Sequence, residues 1–386
     1  MITLFPFLAT HARLAVGVTS AIVAWGMLSQ ALRVLSAPLV DVSLSLRTWC
    51  AIGTAATAVL LVMPALVPID AGHEAVLCVL MFLLGATACL ASTPLIGLMA
   101  HTVSDARKGR ASAYYTIGGT AGTAAGGAAG IWIASHTGSA LLSATILAAL
   151  CVAMLPALFL VREPPRSSTA TSLFGHLRFV GGDFWGSVKS RRTLLVIAAV
   201  MTPVGLGATA NIWPAIAPEW HVSADLMSLL AGAGATAVTL MGCLMAGKVM
   251  DRIDGVAAWL LFSVLLCAAG AILAFSPRTP VSFSVSMLVY MTVLGACGVG
   301  YLAMIMAVIG RGAAAFKFAA INSLGNFPTA YMTAANGAIH DRYGVTMMLL
   351  VEAIGSLVLI VLFAAGERAT RPADAALPEG AAVETA

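Results

Sequence analysis

The chain has 386 residues, of which 60% are hydrophobic and only 9% are charged, and its formal net charge is +4. An ordinary soluble domain carries roughly 25% charged residues, so this composition excludes a soluble globular protein. Apolar stretches recur along the sequence without the two-residue alternation of membrane barrels. The sequence therefore predicts an all-α membrane protein.

About eleven of these apolar stretches are long enough to cross a bilayer as a helix. Short polar turns separate most of them, and one long polar segment, 162–192, divides the first five from the last six. In chain order the predicted spans are 14–36, 47–67, 75–101, 110–135, 139–161, 193–217, 222–249, 256–276, 281–310, 314–338 and 345–366.

The long polar segment also predicts the domain organisation. Two transmembrane halves, 1–161 and 193–366, flank a cytoplasmic linker at 162–192, and a cytoplasmic tail follows at 367–386. Two related halves are the usual plan of secondary transporters.

Basic residues predict the orientation of the spans. If the loop after the first span is cytoplasmic, only Arg13, Arg278 and Arg342 fall outside, and the other 17 of the 20 Lys and Arg residues fall inside. Cytoplasmic loops carry the excess of Lys and Arg in membrane proteins. We therefore expect a multi-pass protein of the inner (plasma) membrane with a cytoplasmic C-terminus.

The two halves show an internal repeat. Asp41 follows the span 14–36, and Asp251, 210 residues later, follows the span 222–249. The same offset places the span 256–276 within one residue of 47–67. The counterpart of the span 193–217 would lie almost wholly before Met1. We therefore expect a six-plus-six plan that lacks most of its first helix, through truncation, a late start codon or gene decay.

The loops that carry these aspartates resemble the major facilitator superfamily. Gly247, Asp251 and Arg252 match its repeated Gly-x-x-x-Asp-Arg motif, whereas the copy at Asp41 departs from it. The segments 32–49 and 316–324 are similar to the muropeptide, siderophore and acetyl-CoA permease branch. The resemblance implies a two-half helical bundle that carries a small solute by alternating access, often driven by protons, and acts as a monomer.

The resemblance also implies a role for the charged residues at the inner helix ends. In the family, residues at the positions of Asp41, Asp251 and Arg252 pair across two helices and hold one end state shut. Such a network that breaks and reforms suits alternating access. The alternative is that these charges are merely solvated helix ends.

Two charged side chains of the predicted spans are candidates for solute or ion binding, and Glu352 is the only acidic one well inside a span. Arg33 is either an anion contact at the base of a cavity or a cation that extends to the membrane surface. Glu352 lies roughly 10 Å from the outer end of the last span, at about 1.5 Å per residue. A carboxylate at that depth must face protein or be protonated, so Glu352 is either a coupling site or a structural acid.

The span 314–338 carries polar side chains on one helical face. Spacings of three and four residues place them together, so they line either a cavity or another helix. The cavity-lining candidates are Asn322, Asn326, Thr329 and Thr333, continued by Asn336, with Asn211, Trp213, Gln30 and Trp25 on other spans as weaker candidates.

Glycines repeat at every fourth residue in the span 110–135, namely Gly118, Gly122, Gly126 and Gly130. A face without side chains lets another helix approach closely. We expect this helix-packing face to contact the span 222–249, either as a sliding contact between the halves or as static packing.

No pattern in the sequence points to catalysis or to a cofactor. Gly242 to Lys248 matches most of a phosphate-loop pattern, but Val249 follows and the match lies within an apolar span. The seven cysteines lack metal-site spacing. We therefore expect no enzyme, no metal and no nucleic-acid partner, and the alternative to a permease is a non-transporting remnant or accessory membrane protein.

Overall fold

The structure, a computed structural model, is described for residues 3–31, 33, 40, 44–102, 105–160, 191–309 and 320–374. Every regular element in these residues is a helix. The predicted all-α fold is therefore confirmed. Asp41, the linker 162–190, the segment 316–319 and the end of the tail lie outside the described residues.

The described part of the N-terminal half consists of six α-helices. A single 3-10 turn at Ala71–His73 precedes the fourth helix, and a 3-10 helix at Leu155–Leu160 continues the sixth. The α-helices are α1 (Leu4–His11), α2 (Val16–Ala31), α3 (Leu46–Leu66), α4 (Glu74–Thr102), α5 (Asp105–Thr137) and α6 (Ala140–Ala153).

The described part of the C-terminal half is less regular. A π-helical turn, Leu230–Gly234, joins two of its helices, and the last helix is interrupted at Gly344, where φ is 80° and ψ is 170°. The α-helices are α7 (Arg191–Val200), α8 (Trp213–Ile216), α9 (Ala224–Leu229), α10 (Ala235–Met250), α11 (Gly255–Phe275), α12 (Pro280–Ile309) and α13 (Asn326–Asp374).

Seven helical segments of the described chain are long and apolar enough to cross a membrane. Helix α2 is apolar but shorter. The seven segments are Leu46–Leu66, Ala71–Leu95, Ala140–Leu158, Ala224–Met250, Gly255–Phe275, Pro280–Met306 and Ala320–Arg368.

Short side chains fix the beginnings of several helices. Ser45, Ser139 and Ser223 each accept a hydrogen bond from the backbone N–H three residues ahead. This N-cap satisfies one of the N–H groups that the first helical turn leaves without a partner. These serines lie within two residues of the beginnings of the predicted spans 47–67, 139–161 and 222–249.

The predicted span 193–217 is not one continuous helix. Helix α7 ends at Val200, and regular structure resumes only with the 3-10 helix Ala208–Ile212. Pro203 cannot donate a backbone hydrogen bond, and Gly205 and Gly207 adopt φ of 71° and 62°. These left-handed conformations suit glycine and interrupt a helix, which corrects the prediction of one uniform span.

The two halves meet along two seams. In the first seam α2 packs along α13, and in the second α5 packs against α9 and the π-helical turn. In lipid such contacts depend on close packing and hydrogen bonds, because the surrounding acyl chains are as apolar as the helices.

Helix α1 lies against the interrupted segment of the other half. Its buried residues Leu4, Phe7 and Leu8 belong to the same apolar cluster as Trp213 and Ile216. The first helix therefore contacts both halves and borders the space between them.

Candidate functional site

Glu352 on α13 is the centre of a buried polar cluster. Only 9% of it is exposed. Its Oε1 accepts a hydrogen bond from the Tyr290 hydroxyl at 3.2 Å, and its Oε2 accepts one from the Thr209 hydroxyl at 2.5 Å and another from the Asn336 amide. No basic side chain in the described part of the chain forms an ion pair with it.

The cluster ties the interruption after α7 to two long helices. Thr209 follows the two left-handed glycines, Tyr290 belongs to α12, and Asn336 precedes the interruption of α13. Asn336 also donates to the Thr209 hydroxyl at 3.3 Å, while its own carbonyl oxygen Oδ1 has no hydrogen-bond partner in the described part of the chain. Three donors accommodate an ionised carboxylate without a countercharge.

The polar face of the span 314–338 divides into two parts. Thr333 and Asn336 are fully buried. Thr333 accepts a hydrogen bond from Asn211 at 3.1 Å and contacts the sulfur of Met27, in the other half, at 3.8 Å. This part therefore bonds to other helices, which is the alternative to cavity lining that the sequence left open.

The other part of the polar face is half-buried. It consists of Asn322, Asn326 and Thr329. Asn326 donates to the Ser323 carbonyl at 3.2 Å and Thr329 to the Gly325 carbonyl at 2.9 Å, both within the same helical segment. For these three residues, cavity lining stays a prediction.

Arg33 is paired within the N-terminal half. Its guanidinium donates to Ser92 at 3.0 Å and to Gln30 at 3.3 Å, and the Cys89 thiol donates to the same Gln30 oxygen at 3.0 Å. These bonds connect α2 to α4. Trp25 is 47% exposed and lies in a separate groove beside Phe82.

Asp251 and Arg252 lie at the end of α10, where both are exposed. The described residues include no ion pair to either of them. Their gating role, and that of Asp41, stays a prediction.

Asp341, the residue after His340, joins the two halves at the opposite end. We call this the outer end, after the predicted topology. The Asp341 carboxylate accepts a hydrogen bond from the Gly17 N–H at 2.8 Å, at the beginning of α2. A carboxylate at a helix N-terminus is favourable because the helix dipole is positive there.

His340 is held between two carboxylates at the outer end, in the polar turn between the predicted spans 314–338 and 345–366. Its Nε2 lies 2.5 Å from Glu219 and its Nδ1 lies 3.4 Å from Asp341. Burial alone would lower the pKa of His340, but the hydrogen bonds and charges of Glu219 and Asp341 together raise it above its ordinary value.

The second seam has its own outer contact. His136, at the end of α5, lies 3.8 Å from Asp225 in α9, and both side chains are largely exposed. Both seams are therefore closed at the outer end.

The glycine-lined face of α5 does not lie in this seam but beside it. Gly130 faces Leu147 and Leu4 of its own half, whereas a side chain at Gly118, Gly122 or Gly126 would have no neighbour within 4 Å among the described residues. The contact with the span 222–249 is instead made through Ala128, which a Cβ on Gly232 would meet at 2.5 Å. Proximity of the two spans is thus observed, on a neighbouring face of α5. Gly122 and Gly126 line a space inside the N-terminal half.

A cavity between the halves borders this seam. It includes about 930 Å³ of space not occupied by protein, part of it open to solvent. Side chains from both halves line it: Thr3, Thr123, Trp213, Met227, Thr236, Thr239, Met287 and Met291.

Several of these functional candidates have no local sequence signal. Thr209 and Tyr290 lie 143 and 62 residues from Glu352, so the chain alone does not pair them. Asp341 reads as one charge in a polar turn. Its contact with α2 joins positions 324 residues apart, so it becomes visible only in the structure.

Known families and structures share this architecture. The Major Facilitator Superfamily profile matches residues 1–210. A search of curated proteins gave no match. A mutant form of the nucleoside transporter NupG is similar in fold, with a TM-score of 0.74 at 15% identity, covering 95% of this chain and 94% of its own.

Two further solved structures are similar in fold. The xylose transporter XylE from E. coli, in a partially occluded inward-open conformation, has a TM-score of 0.64 at 15% identity and covers 88% of this chain and 86% of its own. A bacterial homolog of the human lysosomal transporter Spinster, inward-facing, has a TM-score of 0.59 at 13% identity, with coverages of 91% and 96%.

Proposed function

Because the chain belongs to the Major Facilitator Superfamily, we propose that it is a secondary permease that moves a small polar solute across the inner membrane by alternating access. The observation that carries this proposal is the outer end, where the halves meet through a few partly exposed polar contacts. The Asp341 side chain is 33% exposed and the Asp225 side chain 68%. Contacts of this kind contribute about 0–1 kcal/mol each, so they can break in every transport cycle.

A disulfide trap tests this proposal. A Cβ on Gly17 would lie 3.2 Å from Asp341 Cγ, so Gly17→Cys with Asp341→Cys places two thiols across the outer end. Oxidation should stop solute counterflow in proteoliposomes, and reduction should restore it, because the halves can no longer separate.

The matched control is a pair inside one half. A Cβ on Gly255 would lie 3.0 Å from Ala303 Cβ, with no backbone atom closer than 3.7 Å, so Gly255→Cys with Ala303→Cys joins α11 to α12 only. Its oxidation should leave counterflow unchanged. Equal counterflow by the oxidised and reduced outer pair would contradict alternating access at this seam. Absence of counterflow in both states would favour the non-transporting alternative.

For the driving ion, we propose protons carried by Glu352. A protonated carboxyl needs an acceptor, and the amide nitrogen of Asn336 cannot accept a hydrogen bond. The unpartnered Oδ1 of Asn336 can, if the amide rotates. Protonation would then exchange one bond of the cluster for another and loosen the tie between α13 and Thr209.

We propose that the C-terminus is cytoplasmic and that the halves 1–161 and 193–366 move about the linker. The count of basic residues supports this orientation. A reporter enzyme that is active only outside the cytoplasm, fused after Ala386, should be inactive. Strong activity would reverse the inner and outer ends. The muropeptide, siderophore and acetyl-CoA branch stays a prediction.

A further inference from the structure

The cavity between the halves has a distinctive chemical lining. None of the described residues that line it carries a formal charge. Met291 supplies partly exposed polarisable surface, and Met227, Met287 and Trp213, each at most 2% exposed, form the wall behind it. Methionine sulfur packs favourably against aromatic rings.

The polar groups of the cavity are unequally used. The hydroxyls of Thr123 and Thr236 donate to backbone carbonyls of their own helices, both at 2.8 Å, and Thr239 donates to the Met291 carbonyl at 3.3 Å. The single proton of each hydroxyl is already used in a hydrogen bond within the protein, so each hydroxyl can offer a solute only its oxygen, as an acceptor.

Trp213 is the opposite case. The residue is 2% exposed, and its Nε1–H has no hydrogen-bond partner among the residues that the structure describes. Indole N–H is a donor only, and a buried donor normally finds an acceptor. A bound solute that presents an acceptor would supply one.

We infer that this cavity binds an uncharged solute with a planar ring, at least one carbonyl or ring-nitrogen acceptor, and hydroxyl or N–H donors. The inference deepens the proposed function and rests on it. An ionic solute would lose its hydration here without meeting a countercharge, which is unfavourable. The methionines and Trp213 would contact the ring, Trp213 Nε1 would donate, and the threonine oxygens would accept.

Two matched pairs of probes test this inference on the purified protein. Uridine and N-acetylphenylalaninamide are neutral, contain a planar ring and carry hydrogen-bond donors and acceptors, whereas uridine 5′-monophosphate and N-acetylphenylalanine are their negatively charged counterparts. At least one neutral probe should bind at least about tenfold tighter than its charged counterpart by calorimetry. A charged probe that binds equally well, or failure of both neutral probes to bind at millimolar concentration, would overturn the inference.

Variants locate the binding to this cavity. Trp213→Phe keeps a ring but removes the donor, and should weaken the neutral probe by about 3- to 10-fold. The control is Trp259→Phe, which removes another buried indole N–H without a partner but lies outside the cavity lining. If Trp213→Phe does not fold, Thr236→Val removes an acceptor and should also weaken binding. Equal affinity in the cavity and control variants would overturn the assignment.

Counterflow in proteoliposomes separates the two proposals. Neutral binding without counterflow would leave the solute site standing and contradict the permease. Counterflow of a charged probe alone would support the permease and contradict the binding site for an uncharged solute.

Discussion

Two carboxylates of α13, Glu352 and Asp341, have opposite surroundings. Glu352 is buried within the C-terminal half and accepts three hydrogen bonds from side chains. Asp341 is partly exposed and crosses between the halves to a single backbone N–H of α2. Removing the buried carboxylate lowers the free energy of unfolding by about 1–3 kcal/mol for each donor that is left without an acceptor. The exposed group is inexpensive to release, so the first suits coupling and the second suits gating.

The largest effect should come from removing the buried carboxylate. Glu352→Leu leaves Thr209, Tyr290 and Asn336 without their acceptor, at about 1–3 kcal/mol for each group. We expect a lower yield of monodisperse protein and a lower Tm in detergent. Asp341→Leu is the matched control at the exposed site and should change the Tm much less. Equal losses would remove the distinction between the two carboxylates.

Glu352→Gln should separate coupling from structure. Glutamine keeps the size and one acceptor oxygen but cannot ionise. We expect a folded protein that exchanges solute across the membrane but no longer accumulates it against a gradient. Accumulation that still responds to a pH gradient would reject Glu352 as the proton carrier and leave it a structural acid.

At the outer end the expected effect is smaller. Asp341→Asn keeps an acceptor for Gly17 N–H but removes the charge at the N-terminus of α2, which is worth about 0.3–1 kcal/mol. The outward-open population should rise about 2- to 5-fold. A cysteine at the buried position Ser20 should therefore react correspondingly faster with a membrane-impermeant maleimide.

A neutralised aspartate elsewhere at the same end provides the control. Asp70 bonds within its own turn, to the backbone and ring of His73. Asp70→Asn should leave the reactivity at position 20 unchanged. If both variants accelerate labelling alike, the contact with Gly17 does not hold the seam.

The sequence predicted the long helices well because hydropathy reports burial in lipid directly. The span 47–67 corresponds to α3 at Leu46–Leu66, and the span 256–276 corresponds to α11 at Gly255–Phe275. Membrane crossing imposes this length on each apolar stretch, so no tertiary information was needed.

The interruption after α7 was missed although its residues are visible in the sequence. Pro203, Gly205 and Gly207 change the mean hydropathy of a window of about 20 residues only slightly, so the average treats the stretch as continuous. Backbone conformation, not polarity, ends the helix there. Hydropathy therefore identifies where a chain crosses the membrane but not where a helix breaks within it.

The site was predicted only in part. The regular spacing placed Thr333 and Asn336 on one face, and the depth of Glu352 marked it as unusual. Which helices supply the donors depends on contacts between distant segments, as for Thr209. The prediction chose the wrong face of α5 for the contact with the other half. Glycine spacing indicates that another helix can approach closely, but it does not indicate which helix does so.

The smallest expected effect concerns pH at His340, which faces Glu219 and Asp341. Because its pKa is raised in the folded protein, the imidazolium and its contacts are fully present below the ordinary value of about 6.5. They are lost as the pH rises through the raised pKa. Glu219 and Asp341 belong to the same half as His340, so the effect on the seam is indirect: without the imidazolium, Asp341 is held less firmly against Gly17 of α2. The outer end should therefore open slightly more at alkaline pH, and labelling of Ser20→Cys should accelerate there. Thiolate formation also accelerates labelling, so the rate is normalised to a cysteine at the exposed position Ala12. His340→Gln should abolish the remaining pH dependence. An unchanged normalised profile in His340→Gln would show that another group holds the outer end shut.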